Sequence, residues 1–329
     1  MPNSEDTRWL AAAANLSERA RPLSRPNPAV GAVIVRDGIV IGRGWTQPGG
    51  RPHAEAVAIG QAGQAARGAT LYVSLEPCFH QSSRGPACAD LVAGAELARV
   101  VIGIEDPDER TAGRGLAHLR AQGLEVTLAN DPACAAALRG FCLQREENRP
   151  EVTLKLAMSL DGCIAMASGE SKWITGAAAR AHAHRERARA DAILVGGGTL
   201  RADLPRLDVR LPGLEKRSPE RIVLTGGQAP AGWLAISSPQ GIFDLPGIQH
   251  LMIEGGSETA SAFLASGLVD RLLVYRAPIL IGGGRNAIGE IGNKDLAQVF
   301  AKGGWRLHDR RELGRDTLEV YHPANVERD

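Results

Sequence analysis

One histidine, one carboxylate and two thiols, spaced as His53-Ala54-Glu55, Pro77-Cys78 and Cys88, constrain this chain more than any other feature. Three borderline or soft ligands suit a catalytic zinc, because a structural zinc takes four and leaves no position for water. Glu55 is then spare, and can handle protons at a water whose pKa bound zinc lowers from ~15.7 to roughly 7. Residues at i and i+2 do not share a helical face, so His53 and Glu55 approach the metal from different directions. Pro52 and the run Ala54 to Ala66 predict a helix with proline suited to its first turn. Thr70 to Leu75 predicts a strand, ended by Glu76-Pro77-Cys78. A helix starting at Cys78 or near Cys88 sets a thiolate beside positive helix-end dipoles, which favours the ionised ligand. Taken singly, such cysteines are small buried hydrophobes; their order and frame make them a ligand set.

The rest of the first half alternates helical and strand-like segments. Glu5 to Ala20 reads as a helix, and Val30 to Val35 with Ile39 to Gly44 flank an Arg36-Asp37-Gly38 hairpin turn. After the first metal motif come a helix near Ala87 to Gly94 and a strand Arg99 to Ile104. Helix Gly115 to Gln122, strand Leu124 to Leu128 and helix Pro132 to Glu147 follow. That order predicts a layered α/β/α domain with a mixed sheet. The polar run Arg145 to Pro150 ends in proline and marks a boundary near residue 148. Beyond it, strands Val152 to Met158, Ala192 to Val195 and His250 to Glu254 each run into loops, the last two rich in glycine. Glycines at the carboxyl ends of strands let a cofactor's phosphates approach backbone amides. The chain has no Gly-x-Gly-x-x-Gly, so the usual dinucleotide fingerprint is missing.

Composition narrows the partners. A chain of 329 residues is long enough for two domains with separate cores. Its net charge of +1, with Arg180 to Arg189 the single basic cluster and Glu186 interrupting it, argues against nucleic-acid binding by phosphate neutralisation. No stretch of ~20 apolar residues crosses a membrane, and the N-terminus lacks a secretory signal's apolar core. Five cysteines, two of them committed to metal, make no disulfide framework. A cytoplasmic enzyme acting on a small molecule, with no nucleic-acid or membrane partner, is expected.

His-x-Glu with a later Pro-Cys-x-x-Cys is the signature of zinc nucleobase deaminases. Here nine residues separate Cys78 from Cys88, so the second thiol arrives from a looped excursion, Phe79 to Ala87. Together with Pro26-Asn27-Pro28-Ala29-Val30-Gly31, Leu75-Glu76-Pro77-Cys78, Pro86-Ala87-Cys88-Ala89-Asp90 and Glu105-Asp106-Pro107, this resembles the bifunctional riboflavin-biosynthesis deaminase–reductase family. The resemblance continues at Lys155, Ser159-Leu160-Asp161-Gly162, Ser168-Gly169-Glu170-Ser171 and Trp173-Ile174-Thr175, and covers nearly the whole chain. Two departures stand out: the excursion is one residue longer than is usual in the family, and Asp108 occupies a position where asparagine is common.

The resemblance implies a cytidine-deaminase-like α/β/α domain with a mixed sheet over 1–147, a zinc-dependent pyrimidine deaminase. It is followed over 148–329 by a dihydrofolate-reductase-like α/β domain, an NADPH-dependent reductase, shortened between 226 and 249. The implied reactions are hydrolytic deamination of a diamino-ribosylaminopyrimidinone 5′-phosphate, then reduction of its ribosyl group to ribityl. His53, Cys78 and Cys88 would hold one zinc per chain, Glu55 would carry protons, and Asn27 and His80 would hold ring and sugar. In the second domain the resemblance puts Ala157, Trp173, Thr199, Asp203, Gly255 and Gly256 against NADPH. It puts Ser171, Arg187, Leu207, Arg210 and Glu254 against substrate, with Lys155 and Asp161 near the reacting centre. By themselves, Arg187 reads as a solvated helix face and Trp173 as core. A homodimer or homotetramer is also implied. The 24 residues from 226 to 249 are too few for a βαβ unit, which needs roughly 30. An element of that sheet is therefore expected to be missing or replaced by loop, which keeps open an alternative: a deaminase whose second half is a nonreducing binding or assembly module. A zinc deaminase acting on a free nucleobase or nucleic acid is the other alternative, opposed by the second domain and the balanced charge.

Overall fold

The computed structural model describes residues 2–80, 85–301 and 304–324, so residues 81–84 of the excursion lie outside the described residues. The chain separates into two compact units, Met1–Asn148 and Arg149–Asp329.

The first unit runs α1 (Ser4–Ser17), β1 (Gly31–Arg36), β2 (Ile39–Trp45), α2 (Ala54–Ala62), β3 (Thr70–Leu75) and α3 (Cys88–Ala93). It continues through β4 (Arg99–Ile104), α4 (Arg114–Ala121), β5 (Glu125–Leu128) and α5 (Pro132–Glu146). Its sheet has the order β2-β1-β3-β4-β5, antiparallel across β2, β1 and β3 and parallel across β3, β4 and β5. Successive strand residues face opposite sides: Ala32 and Ile34 of β1 pack with α2, α3 and α4, whereas Val33 and Val35 pack with α1 and Cys134 of α5. The β1–β2 hairpin turns at Asp37 (φ +51°) and Gly38 (φ +73°), the pair of positive φ values that a two-residue turn needs to match strand twist. α2 stops at Ala62, four residues short of the sequence expectation, because the chain enters a 3-10 turn at Gly63–Ala66 with Gly63 at φ +54°. α1 opens on a capping box in which the Asn3 and Asp6 side chains each accept the other's backbone amide.

The second unit runs β6 (Glu151–Met158), β7 (Cys163–Ala165), α6 (Ala177–Arg187), β8 (Ala192–Gly196), α7 (Gly197–Asp203), β9 (Glu220–Leu224), β10 (Leu234–Ile236) and β11 (His250–Ile253). It ends with α8 (Ser257–Ala265), β12 (Arg271–Arg276), β13 (Arg285–Asn286), α9 (Leu296–Ala301), β14 (Trp305–Leu313) and β15 (Asp316–Pro323). The main sheet has the order β10-β9-β8-β11-β6-β12-β15-β14, parallel from β10 to β12 and antiparallel over β15 and β14. β8 and β11 are buried along their whole length, as a central parallel strand covered on both faces must be. The stretch from 226 to 249 carries β10, paired in parallel with β9, and a 3-10 turn over Pro239–Asp244. No helix stands between β9 and β10.

Candidate functional site

The metal motif is assembled by close backbone packing. A Cβ on Gly42 would meet Ala58 O at 2.3 Å, and one on Gly44 would meet Ala54 O at 2.2 Å. Bare backbone at these two β2 positions therefore lets the first turns of α2 lie directly on the sheet. His53, at the N-cap of α2, brings Nδ1 to 3.2 Å from Cys88 Sγ and 3.5 Å from Cys78 Sγ. The amide of Cys88, first residue of α3, donates to Cys78 Sγ at 3.4 Å, so a helix-start dipole does face a thiol. All three ligand atoms lie within 4.8 Å of one another. Separations of this size suit an ion bound at about 2.0 Å to nitrogen and about 2.3 Å to sulfur, and two thiols with one imidazole form a zinc donor set. On the other edge of the ring, His53 Nε2 stands 3.2 Å from Asn27 Nδ2. Asn27 is pressed from behind by Gly50, where a Cβ would fall 2.5 Å from its Cγ.

The charges around this cluster are set by burial and by each other. Hydrogen bonding with Cys88, opposed by burial, holds the Cys78 thiol below its ordinary range, and the same bond together with burial pushes Cys88 up. Burial works against a charge on His53, but Cys78 and Glu55 outweigh it and raise the imidazole. Glu55 is 3% exposed, and burial lifts its carboxyl above the usual range while His53 opposes the rise. A carboxyl so placed takes up and releases protons closer to neutrality than an exposed one.

A cavity of about 280 Å³ opens over the cluster and includes Asn27, His53, Glu55, Cys78 and His80 in its lining. The Nδ1 atom of His80 is buried there without a hydrogen-bond partner among the described residues. The lining adds residues that sequence reasoning did not assign: Thr46, Arg51, Asp106, Arg110, Phe141 and Arg145. Asp106 and Asp108 flank Pro107 in a motif already picked out, yet they differ sharply. Burial raises Asp106 to about 7, while Arg110, gripping Asp108 at 2.8 and 2.6 Å, lowers Asp108 to about 2. Arg145 stands 3.6 Å from the same Asp108 carboxylate. Glu76, read from sequence only as a strand end, accepts the amides of Asp106 (3.2 Å), Gly113 (2.9 Å) and Leu116 (3.0 Å). It thereby fixes the loop after β4 and the start of α4 beside Pro77-Cys78.

In the second unit three of the expected residues meet in one buried ion cluster. Arg187 donates two bonds to Glu254, at 2.5 and 2.9 Å, and a third to Asp208 O at 3.1 Å; Lys155 Nζ lies 3.6 Å from Glu254. Burial alone would raise Glu254, but Lys155 and Arg187 hold it down at about 2. Arg187 is thus not a solvated helix face. Its side chain is 13% exposed, and its guanidinium fork is filled by a carboxylate. Arg210 reaches the cluster only through Asp208, at 3.5 Å, and donates its amide to His184 Nδ1 at 3.3 Å. Leu207 is buried at φ +56°, an uncommon conformation for a branched residue, at the loop that follows α7.

The glycine turns converge at the carboxyl ends of adjacent parallel strands β8 and β11. Thr199 Oγ1 accepts the Gly256 amide at 3.2 Å and ties the two turns together, with Gly255 beside it. Two of these glycines are required by packing: a Cβ on Gly196 would meet Thr259 Oγ1 at 2.2 Å, and one on Gly255 would meet Thr259 Cβ at 2.7 Å. Nothing lies within 4 Å of the Gly198 Cβ direction, so that turn keeps an open backbone. The crevice outside the carboxyl ends of parallel strands is where such sheets take nucleotides, and these residues fit NADPH. Ala157 lies on β6 opposite Tyr275, and Asp203 is exposed at the end of α7. Asp161 and Trp173 are tied elsewhere. Asp161 accepts Ser159 Oγ at 2.5 Å and the amides of Ile281 and Gly282 at 3.2 and 2.8 Å, which lower it to about 2. Trp173, expected in the core on its own merits, is 63% exposed with the Arg180 guanidinium 4.6 Å over its ring, while Ser171 nearby is half-buried. No apolar run in the sequence marks it as a core position, and the cation gives the exposed ring a partner.

Comparison with known proteins covers both units. Residues 3–104 match the cytidine and deoxycytidylate deaminase zinc-binding region, and residues 150–231 and 244–317 match the RibD C-terminal domain. The chain is 34% identical over 373 aligned residues to the riboflavin biosynthesis protein RibD of Haemophilus influenzae, covering 98% of this chain and 99% of that one. It superposes on Acinetobacter baumannii RibD with a TM-score of 0.83 at 34% identity, over 97% of this chain and 99% of the other. A Thermotoga maritima diaminohydroxyphosphoribosylaminopyrimidine deaminase/5-amino-6-(5-phosphoribosylamino)uracil reductase gives a TM-score of 0.84 at 29% identity, over 97% and 98% of the two chains. Both halves are covered, so the alternative of a deaminase with a nonreducing second half is set aside.

Proposed function

This chain belongs to the RibD family of riboflavin biosynthesis, and from that premise we propose which of its residues carry each of the family's two reactions. The enzyme is bifunctional. It deaminates 2,5-diamino-6-ribosylamino-4(3H)-pyrimidinone 5′-phosphate with zinc, then reduces the ribosyl side chain to ribityl with NADPH.

In the first unit His53, Cys78 and Cys88 hold zinc, which when bound supplies an activated water for attack on the amino-bearing ring carbon. Glu55 would take one proton from that water and pass it to the ring nitrogen, then take the second from the new hydroxyl and pass it to the departing ammonia, and its raised affinity for protons suits it to this traffic. Asn27 braces His53, and His80 would help hold the substrate, its buried Nδ1 having no hydrogen-bond partner among the described residues. In the second unit bound NADPH supplies the hydride for C1 of the opened ribosyl imine. Gly255, Gly256 and Thr199 present the turn that receives its phosphates, with Ala157, Trp173 and Asp203 as further contacts. Lys155, Arg187 and Glu254 form a fixed charged wall for the substrate, bordered by Leu207 and Arg210, with Ser171 and Asp161 on neighbouring loops. The domain boundary is placed at residue 147/148.

The observation that carries this function is the pairing of a His-Cys-Cys cluster with a buried, uncoordinated Glu55 in one cavity. The decisive experiment follows ammonia and NADPH together after adding the diamino substrate: both must change in sequence, and ammonia without NADPH oxidation would remove the second half. The proposal includes a homodimer or homotetramer. β14 is an edge strand with Trp305 38% and Leu307 48% exposed, but it also carries Arg306, Asp309, Arg310, Arg311 and Glu312, charges of the kind that blunt an edge, so the oligomer rests on the resemblance to the family, and sedimentation checks it. It also includes a cytoplasmic location, supported by five free thiols and checked by fractionation. No helix among the described residues is long and apolar enough to cross a membrane.

A further inference from the structure

Three arginines line the deaminase cavity, and two of them are already engaged. Arg110 forks Asp108 at 2.8 and 2.6 Å, and Arg145 stands 3.6 Å from the same carboxylate. Glu76, the other carboxylate in that part of the wall, is filled by three backbone amides. Arg51 differs. Its guanidinium makes one hydrogen bond, Nη1 to Pro86 O at 3.4 Å, and among the described residues it has no carboxylate partner. It is half-buried and lines both the main cavity and a second one of about 260 Å³ on the Gly85-Pro86 and Cys88 side of His53. Its placement is built rather than incidental. Gly49 and Gly50 turn at φ +75° and +84° immediately before it, and Gly50 presses on Asn27, which braces His53. One turn therefore sets the zinc ligand, its brace and a free cation together.

We propose that Arg51 binds the 5′-phosphate of the deaminase substrate and so fixes how deeply the pyrimidine reaches toward Glu55. This rests on the deaminase function given above. The substrate is a phosphate monoester dianion whose phosphate takes no part in deamination, so a protein group must hold it if its binding energy is to orient the ring. A guanidinium with unfilled donors matches phosphate oxygens in pairs, and a half-buried one does so with less screening than a surface lysine.

The test measures ammonia release by zinc-loaded wild type, Arg51→Ala and Arg51→Lys, with the 5′-phosphorylated substrate and with its dephosphorylated nucleoside. Arg51→Ala should lower kcat/KM for the phosphorylated substrate by about ten- to a hundredfold, the size of one charge-assisted hydrogen bond, with kcat falling as well as KM rising because the ring is no longer held at its depth. Arg51→Lys should recover part of the loss. With the nucleoside, wild type and Arg51→Ala should behave alike. Inorganic phosphate should inhibit wild type competitively and Arg51→Ala only weakly. An equal loss on both substrates, or a phosphate-dependent loss in Arg110→Ala but not in Arg51→Ala, would overturn the assignment. No ammonia from wild type on the phosphorylated substrate would instead remove the deaminase function itself. Zinc content measured for each variant separates loss of binding from loss of folding, and if Arg51→Ala loses zinc the Arg51→Lys comparison with inorganic phosphate decides.

Discussion

The two sites handle charge in opposite ways. In the deaminase unit, burial pushes Glu55 above the usual carboxylate range and brings Asp106 to about 7, so acidic groups there take up protons more readily than exposed ones do. In the reductase unit, a carboxylate buried to a similar depth is pinned at about 2 by Lys155 and Arg187. Hydrolysis of an amine needs protons delivered and removed at several atoms, and that calls for groups poised between two states. Hydride transfer from a cofactor needs fixed orientation and a constant field, and that calls for charges that never titrate. Burial alone does not decide which kind of site results. The neighbours do: Glu55 has one imidazole and two thiols around it, whereas Glu254 has two full cations.

The strongest way to break this contrast is to remove the exchangeable proton. Glu55→Gln should retain one zinc by metal analysis and lose about 10²- to 10⁴-fold in ammonia release, while reduction of the separately supplied deaminated intermediate stays intact. Chelation of zinc should likewise stop NADPH oxidation from the diamino compound and leave oxidation from the intermediate untouched. Normal ammonia release by Glu55→Gln would end the proton-shuttle role.

Next in size is the fixed-charge wall. Arg187→Ala leaves Glu254 buried beside a single lysine and should destabilise the second unit by about 3–5 kcal/mol in denaturant unfolding. Arg187→Met paired with Glu254→Gln should cost much less, because no lone charge remains. Equal losses from the single and the double change would show that packing, not charge, holds the wall.

A third prediction sharpens the contrast through pH. Glu254 is depressed in the folded chain, so its contribution is complete above its unfolded value of about 4.3 and fades as pH falls toward 2. Asp106 is raised, so its protonated form favours folding below about 3.9 and that advantage is lost as pH rises to about 7. Hydrogen exchange followed by segment should show the loop after β4 loosening toward neutral pH and the β11 end loosening in acid. Asp106→Asn should flatten the first dependence only, and a β4-side loop indifferent to pH in wild type would refute it.

The smallest effect concerns the link between the glycine turns. Thr199→Val removes one hydrogen bond to the Gly256 amide and should weaken NADPH binding by about 1 kcal/mol, or roughly fivefold, in calorimetric titration. An unchanged affinity would leave the threonine a role in packing alone.

How legible these features were differs along the chain. The hairpin at Asp37-Gly38, the alternation of β1 and the ligand trio are local patterns with strict geometric meaning, and they can be read from single residues. The second half was readable only through resemblance. Arg187, Glu254 and Lys155 are 32 to 99 positions apart, and nothing in their spacing says that a sheet will bring them into one cluster. Arg51 and Glu76 were passed over for a related reason. Arg51 looks like an ordinary surface residue until its neighbours' charges are counted, and Glu76 looks like a strand terminator until three distant amides are seen to meet on it. Trp173 misled in the other direction, since size suggests burial and a nearby cation supplied a different partner.

Thr259 carries a consequence for how this chain can change over generations. Its side chain fills the space that both Gly196 and Gly255 leave empty, touching one through oxygen and the other through carbon. The three positions are therefore not free to drift independently. Trimming Thr259 to alanine would make room at Gly196, whose obstacle is the hydroxyl, but would still leave the carbon that blocks Gly255. An alanine at Gly196 is accessible in two steps taken in one order, whereas an alanine at Gly255 waits for a glycine at 259. The crevice over β8 and β11 thus has a history-dependent entrance, in which a packing residue that touches no ligand decides which neighbouring sequences can be reached.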